Sequence, residues 1–118
     1  MKLEELNVYT DSMELADSIW NILQDWDYFH KDTIGKQLIR AADSIAANIS
    51  EGFGRYHFRD KTNFLYFSRG SLFETKTWLT KAFRRKLIDN KAYSNLLERI
   101  DALGVKLNNY INSTRSNS

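Results

Sequence analysis

The sequence contains no cysteine and no proline, and only five of its 118 residues are glycine. Without cysteine, the chain cannot form a disulfide, a zinc-thiolate site or a thiol nucleophile. Without proline, long helices can run uninterrupted along nearly the whole chain. No apolar stretch approaches the roughly 20 residues of a membrane span, and the acidic N-terminus lacks an apolar signal core. These absences predict a helical cytoplasmic protein with no membrane partner.

Residues suited to catalysis or metal binding are also few. The chain has two histidines and no Glu-x-x-His motif of the kind that helix bundles use for di-iron sites. His30 follows Asp27 at that spacing, but this happens once and at a predicted helix end. Gly52 and Gly54 lack the third glycine and the preceding strand of a phosphate-binding loop. Because no nucleophile has an adjacent base, we predict no enzyme activity, no catalytic residue, no metal and no cofactor.

Hydrophobic periodicity divides the chain into four helical segments, at about 3–26, 34–54, 60–87 and 90–111. The predicted N-caps of the last three are Asp32 or Thr33, Asp60, and Asp89 or Asn90. Gly52 and Gly54 are predicted to end the second helix and make the turn. With short connections, these segments predict an all-α fold, an antiparallel up-down-up-down four-helix bundle. We expect a single domain over residues 1–112 and a disordered polar tail over 113–118.

The predicted core is a stripe on each helix. The first helix is apolar over an arc of roughly 200°, wider than the ~100° of a surface helix, which predicts further neighbours in the bundle, in another subunit, or in both. The first row of that arc is Leu6, Tyr9, Met13, Ala16, Trp20 and Leu23, and the second is Val8, Leu15, Ile19, Ile22 and Trp26. The predicted core stripe of the third helix is Phe64, Phe67, Ser71, Thr75, Trp78 and Ala82. The fourth helix has one clean stripe that includes Leu96, Ile100, Leu103, Leu107 and Ile111.

A row of polar side chains lies beside the apolar stripe of the second helix. The members of this polar ridge are Gln37, Arg40, Ser44, Asn48 and Glu51. Ser71 and Glu74 offer matching polar positions on the third helix. We therefore predict a polar seam between these helices, with an Arg40–Glu74 pair and with Asn48 and Ser71 completing its hydrogen bonds. The seam would fix helix pairing and register, or the same residues would form a ligand or partner site.

Charge is unevenly distributed along the chain. Residues 1–30 contain one lysine and seven acidic residues, whereas residues 53–86 contain nine lysines and arginines and two acidic residues. This asymmetry indicates either an anion-binding surface or acidic and basic segments that face each other. Cations mixed with aromatic side chains suit RNA, because guanidinium groups bind phosphates and aromatic faces stack on bases. The candidate nucleic-acid-binding residues are Arg55, Arg59, Lys61, Lys81, Arg84, Arg85 and Lys86.

The second and third helices also carry a family resemblance. Residues 34–54 read IGKQLIRAADSIAANISEGFG, and residues 69–79 read RGSLFETKTWL. The chain resembles the four-helix-bundle proteins encoded within intervening sequences of bacterial 23S ribosomal RNA genes, whose Asn-Ile-Ala-Glu-Gly motif has Ser50 at its third position here. The resemblance implies a left-handed bundle and a ring-like homopentamer, without an established activity. A related group is the accessory variability proteins of diversity-generating retroelements, which resemble nucleic-acid-binding partners of a reverse transcriptase.

Two functional hypotheses follow. In the first, the protein is a small non-enzymatic homo-oligomer that binds RNA or DNA through its basic residues. In the second, it is a protein-interaction scaffold whose basic segment contacts an acidic partner or the acidic first helix of a neighbouring copy. The two differ in salt dependence, since a nucleic-acid binder loses affinity steeply as salt rises.

Overall fold

The computed structural model describes residues 1–117, and all regular secondary structure in this range is helical. The four long helices are α1 (Asn7–Leu23), α2 (Lys36–Phe53), α3 (Phe58–Arg84) and α4 (Asn90–Ser116). A 3₁₀ turn (Leu3–Glu5) precedes α1. A short helical turn (Tyr28–His30) and a π-helical segment (Lys31–Gly35) lead directly into α2. The prediction of an all-α protein with four helices is confirmed.

The start of the second helical segment differs from the prediction. Asp27 caps it, since its carboxylate accepts a 2.9 Å hydrogen bond from the backbone N–H of His30. The predicted cap at Asp32 or Thr33 is wrong because both residues already lie inside the helical path. The Thr33 hydroxyl donates to the carbonyl of Phe29 at 2.7 Å, as a residue within a helix can.

The predicted ends of α3 differ from the structure, whereas the predicted start of α4 agrees with it. Asp60 lies in the first turn of α3, where a carboxylate favours the helix dipole, rather than at the N-cap, which is His57. Asp89 caps α4 as predicted and accepts a 2.7 Å bond from the N–H of Ala92. α3 ends at Arg84, earlier than expected, because Lys86 adopts a left-handed conformation with φ of 64°. The N–H of Leu87 then bonds to the carbonyl of Ala82 at 2.9 Å, which closes the helix end.

The C-terminal tail is more ordered than predicted. We expected disorder from residue 113, but α4 continues through Ser116 and Thr114 is buried. That prediction is therefore wrong for residues 113–116, where burial of one side of the last turn stabilises the helix. Ser118, the last residue of the predicted tail, lies outside the described residues.

Side-chain contacts join neighbouring helices. Between α1 and α4, the Lys106 ammonium pairs with Asp11 at 2.6 Å and Arg99 donates to the Ser18 hydroxyl at 3.0 Å. Between α2 and α3, the buried Ser68 hydroxyl donates to the carbonyl of Ile45 at 2.8 Å. None of the helices within residues 1–117 is both long and apolar enough to cross a membrane.

The core consists of aliphatic rows from all four helices. On α4 the predicted stripe is buried, and Leu103 is 2% exposed. On α3 the predicted stripe is wrong in large part, because Phe67 is exposed and Phe64 and Trp78 are only half-buried. The buried row of α3 is Thr62, Leu65, Ser68, Leu72, Thr75, Leu79 and Ala82. α2 buries Ala41, Ala42 and Ala46, and these small residues allow the close approach that favours the narrower row of α3.

Candidate nucleic-acid interface

The polar ridge of α2 lies at the surface of the chain. Gln37, Arg40 and Glu51 are exposed, while Ser44 and Asn48 are half-buried. The Ser44 hydroxyl donates to the Arg40 carbonyl at 2.7 Å, and the Asn48 amide donates to the Ser44 carbonyl at 2.9 Å. Glu51 pairs with Arg55 at 3.3 Å. These bonds stay within one helical turn, so the ridge is satisfied locally rather than across a helix interface.

The matching positions of α3 do not complete the predicted seam. Glu74 is exposed and accepts a 3.2 Å bond from the Trp78 indole N–H, and Ser71 is half-buried. Within residues 1–117, no ion pair joins Arg40 to Glu74. Both side chains reach water, so neither needs the other to satisfy its charge.

The buried polar contact between these helices comes instead from Ser68. Its side chain is fully buried, and its hydroxyl donates to α2 rather than to its own helix. Sequence reasoning missed it because the large aromatic residues of α3 dominated the choice of core stripe. The available signal was its spacing, since Ser68 lies three residues after Leu65 and four before Leu72.

Gly52 serves α2–α3 packing rather than a turn. A Cβ atom at this position would lie 3.0 Å from the carbonyl oxygen of Lys61 and 3.2 Å from the Cβ of Phe64. The helix ends one residue later, at Phe53, and Gly54 follows with an ordinary φ of −78°. A side chain at this position would therefore crowd the backbone of α3 where α2 meets its first turns.

The first group of basic residues surrounds the start of α3. The Arg55 guanidinium lies over the Phe64 ring, 4.7 Å from its centroid. The Lys61 ammonium donates to the Phe53 carbonyl at 3.2 Å. Arg55 thus contacts a ring of α3 and Lys61 contacts the end of α2, whereas Arg59 lines an open cleft of about 740 Å³ between the start of α3 and the end of α4. We call Arg55, Arg59 and Lys61 the N-terminal cluster.

The second group lies at the other end of the same helix. Arg84, Arg85 and Lys86 are exposed and Lys81 is half-buried. We call these four residues the C-terminal cluster. Arg59 and Arg84 are 25 positions apart on one continuous helix, which at ~1.5 Å per residue separates them by about 37 Å. The structure therefore divides the seven candidate residues between opposite ends of α3 instead of gathering them in one patch.

The side of α3 that borders α4 connects the two clusters. Arg59, Tyr66 and Phe73 recur every seven residues, which returns to the same side of a helix within about 20° per step. The Arg69 guanidinium lies 5.1 Å from the Tyr66 ring centroid and donates to Asn108 at 3.1 Å. Phe73 is 63% exposed. We call this side the bridging face.

The sequence pattern did not predict the bridging face because its cations and aromatic residues are spread along α3 and do not form a local run. Lys76 lies on this face and pairs with Asp101 of α4 at 2.9 Å. Lys81 and Arg84 line a shallow cleft with Phe73 and Lys76, and so extend the face to the C-terminal cluster. The seven-residue recurrence of Arg59, Tyr66 and Phe73 was the signal that could have found it.

The carboxyl groups with altered pKa values lie elsewhere. Burial raises the pKa of Asp43 on α2, and the negative charge of Asp17 on α1 raises it further. The backbone N–H of His30 holds the pKa of Asp27 below its usual value, and the His30 ring adds to this. Neither of these carboxyl groups lies on the bridging face, since Asp43 is on α2 and Asp27 is in the connection before it.

Comparisons with known proteins agree with this architecture. Residues 4–109 match the family described as 23S rRNA-intervening sequence protein. The chain is also similar to a crystal structure of a protein of unknown function from the S23 ribosomal protein family of Bacteroides thetaiotaomicron, with a TM-score of 0.80 and 25% sequence identity. That similarity covers 89% of this chain and 95% of the other. No curated protein matches the chain.

Proposed function

This chain belongs to the 23S rRNA-intervening sequence protein family, and we propose that it is a non-enzymatic, cytoplasmic module that binds RNA or another nucleic acid. The membership confirms the resemblance found in residues 34–54. One observation carries the binding proposal: α3 has exposed cations at its two ends, Arg59 and Arg84, and half-buried cations, Arg69 and Lys76, on the face between them. Phosphate contacts from lysine and arginine supply most of the sequence-independent affinity of nucleic-acid-binding proteins.

The proposal also covers the topology and the handedness of the bundle. We infer an antiparallel up-down-up-down bundle with a left-handed twist. The short connections support this order, as do the Asp11–Lys106 and Ser18–Arg99 contacts, whose numbering runs in opposite directions on α1 and α4.

Self-association is the third element of the proposal. We infer a homo-oligomer, and the family resemblance favours a pentamer. The support within this chain is α1, where Trp20 is 55% exposed and Met13 is 43% exposed on the row that also contains the buried Ala16. An apolar arc that extends beyond the core is typical of a contact between subunits. A ring would repeat the two clusters of α3 around a symmetry axis and so multiply weak phosphate contacts.

The test is binding of the purified protein to a structured RNA over a series of salt concentrations. The variant is Arg84→Glu/Arg85→Glu, and light scattering measures the mass of both proteins. We expect the wild type to bind with a steep salt slope, because each neutralised phosphate releases counterions. We expect the variant to lose affinity and to have a shallower slope at unchanged mass.

Two outcomes contradict this proposal. No binding by the wild type at low salt would remove the nucleic-acid function. A variant that dissociates into monomers would mean that Arg84 and Arg85 contact an acidic surface of a neighbouring copy. The second result would favour the alternative function, a protein-interaction scaffold.

A further inference from the structure

We propose that the bridging face of α3 is a track for single-stranded nucleic acid, on which a base stacks against Phe73 and phosphates bind the flanking cations. This inference rests on the proposed function and specifies the strand form that the protein binds. It adds three residues that the local runs of basic residues did not include, namely Tyr66, Arg69 and Phe73.

The face is continuous from one end of α3 to the other. At the N-terminal end, a cleft of about 740 Å³ is lined by residues that include Arg59, Asn63 and Tyr66. The Arg69 guanidinium lies over the Tyr66 ring and bonds to Asn108, which also lines the next groove along α4. Phe73 lines that groove as well as the cleft of Lys81 and Arg84. Each depression therefore shares a residue or a direct contact with the next.

Cations on this face are available for phosphate. Within residues 1–117, none of the ion pairs involves Arg59, Lys81 or Arg84. Lys76 pairs with Asp101, but both side chains are substantially exposed, and exposed pairs of this kind contribute little and are readily exchanged. The cations thus lie at intervals along the whole face and not only at its ends.

The aromatic side chains indicate single strands rather than a duplex. The Phe73 ring is largely exposed and has Lys76 and Lys81 in the same cleft. In a duplex the base faces are stacked on each other, so a protruding ring would meet only the sugar-phosphate backbone. In a single strand every base offers a free face, and aromatic side chains between cations are the usual way to hold it.

The length of the face suits a short strand. About 37 Å separates Arg59 from Arg84, from the ~1.5 Å rise of the helix. At the ~3.4 Å per phosphate of a strand in a duplex, the face spans at most roughly 11 nucleotides, since an extended single strand rises more per nucleotide. A 12-nucleotide probe is therefore long enough to cover it.

The experiment compares a 12-nucleotide single-stranded RNA of mixed sequence with a 12-base-pair RNA duplex containing the same strand. The variants are Phe73→Ala, Phe73→Tyr and a matched control, Phe67→Ala. Phe67 is 58% exposed on the same helix, but six residues away it points about 120° from Phe73. Affinity is measured at several salt concentrations, and light scattering gives the mass of each protein.

We expect the wild type to bind the single strand at least tenfold more tightly than the duplex. Loss of one stacked base by truncation to alanine lowers affinity by about 5- to 150-fold. Phe73→Ala should therefore lose at least fivefold on the single strand, with an unchanged salt slope and unchanged duplex binding. Phe73→Tyr should keep the wild-type affinity because it keeps the ring, and Phe67→Ala should bind as the wild type does.

The contrary outcomes separate this inference from the proposed function. Binding of both probes with equal affinity, or no effect of Phe73→Ala, would overturn the single-strand track and leave nucleic-acid binding in place. Binding of neither probe would overturn both. A change of mass in Phe73→Ala would show that the ring lies between copies of the chain, which would also overturn the track.

Discussion

At the residue scale, the burial of a polar side chain and the position of its hydrogen-bond partner decide whether it contributes to packing between helices. Asn48 lies in the polar ridge beside the apolar row of α2, and Ser68 lies within the buried row of α3, so their surroundings differ. Asn48 is half-buried and bonds within its own turn, whereas Ser68 is fully buried and bonds to a neighbouring helix. A buried hydroxyl with a single partner on another helix specifies how the two helices pack.

The first prediction concerns this contrast. We expect Ser68→Ala to lower the free energy of unfolding by about 0.5–1.5 kcal/mol, the net contribution of a typical hydrogen bond. We expect Asn48→Leu to change it by less than about 0.5 kcal/mol, as at most surface positions. Denaturant unfolding monitored by circular dichroism measures both. A loss of 1–3 kcal/mol in Asn48→Leu would instead restore the buried polar seam that the sequence indicated.

At the element scale, α2 and α3 pack most closely near the turn that joins them. A Cβ atom added at Gly52 would lie 3.0 Å from the Lys61 carbonyl oxygen, whereas a Cβ atom added at Gly70 would meet nothing within 4 Å. Both are helical positions, and both belong to the stretches that carry the family resemblance. Only at Gly52 would an added Cβ crowd the neighbouring helix.

The second prediction uses these two glycines as a matched pair. Gly52→Ala should destabilise by about 1–3 kcal/mol, because a backbone oxygen cannot move aside without shifting α3. Gly70→Ala should stabilise by roughly 0.5–1 kcal/mol, because alanine in an exposed helix interior loses less conformational freedom on folding. Thermal and denaturant unfolding measure the signs, which should be opposite. Equal effects at the two positions would mean that α2 and α3 are not in close contact at Gly52.

At the scale of the whole molecule, the chain is a rod of 46 × 23 × 21 Å. The four helices bury one aliphatic core, and large side chains that do not fit into it remain outside. Trp20 and Met13 lie outside on α1, and Phe73 lies outside on α3. We assign the α1 residues to contacts between copies and the α3 residue to nucleic acid, so each assignment can be tested by a different measurement.

The third prediction concerns assembly. Trp20→Gln should lower the fraction of oligomer at a given protein concentration, because it removes the largest exposed apolar side chain of α1. Phe29→Ser is the control, since Phe29 is 67% exposed in the connection before α2. Sedimentation equilibrium measures both proteins across a range of concentrations. A wild type that is monomeric throughout that range would contradict self-association, and an unchanged Trp20→Gln mass would place the contact on another surface.

The sequence by itself determined the four helices, the N-cap of α4 at Asp89 and the family. The absence of proline and the recurrence of apolar residues at i+3 and i+4 predict four helices, because this spacing has no other regular solution. The N-cap role of Asp89 and the buried stripe of α4 also follow from local residue type and spacing. The division of the basic residues could also have been predicted, since a helix as long as α3 must separate Arg59 from Arg84 by its own length.

Tertiary structure alone decided which side of α3 faces inward. That helix has apolar side chains around most of its circumference, so periodicity does not select one row. The small residues of α2 select it, because they bring the two backbones close enough to favour Leu65, Ser68 and Leu72 over the bulkier Phe64 and Phe67. The same packing leaves Phe73 and Tyr66 on the side that borders α4, and so creates the bridging face. Which residues touch across helices depends on this close packing, and a pattern along one chain does not contain it.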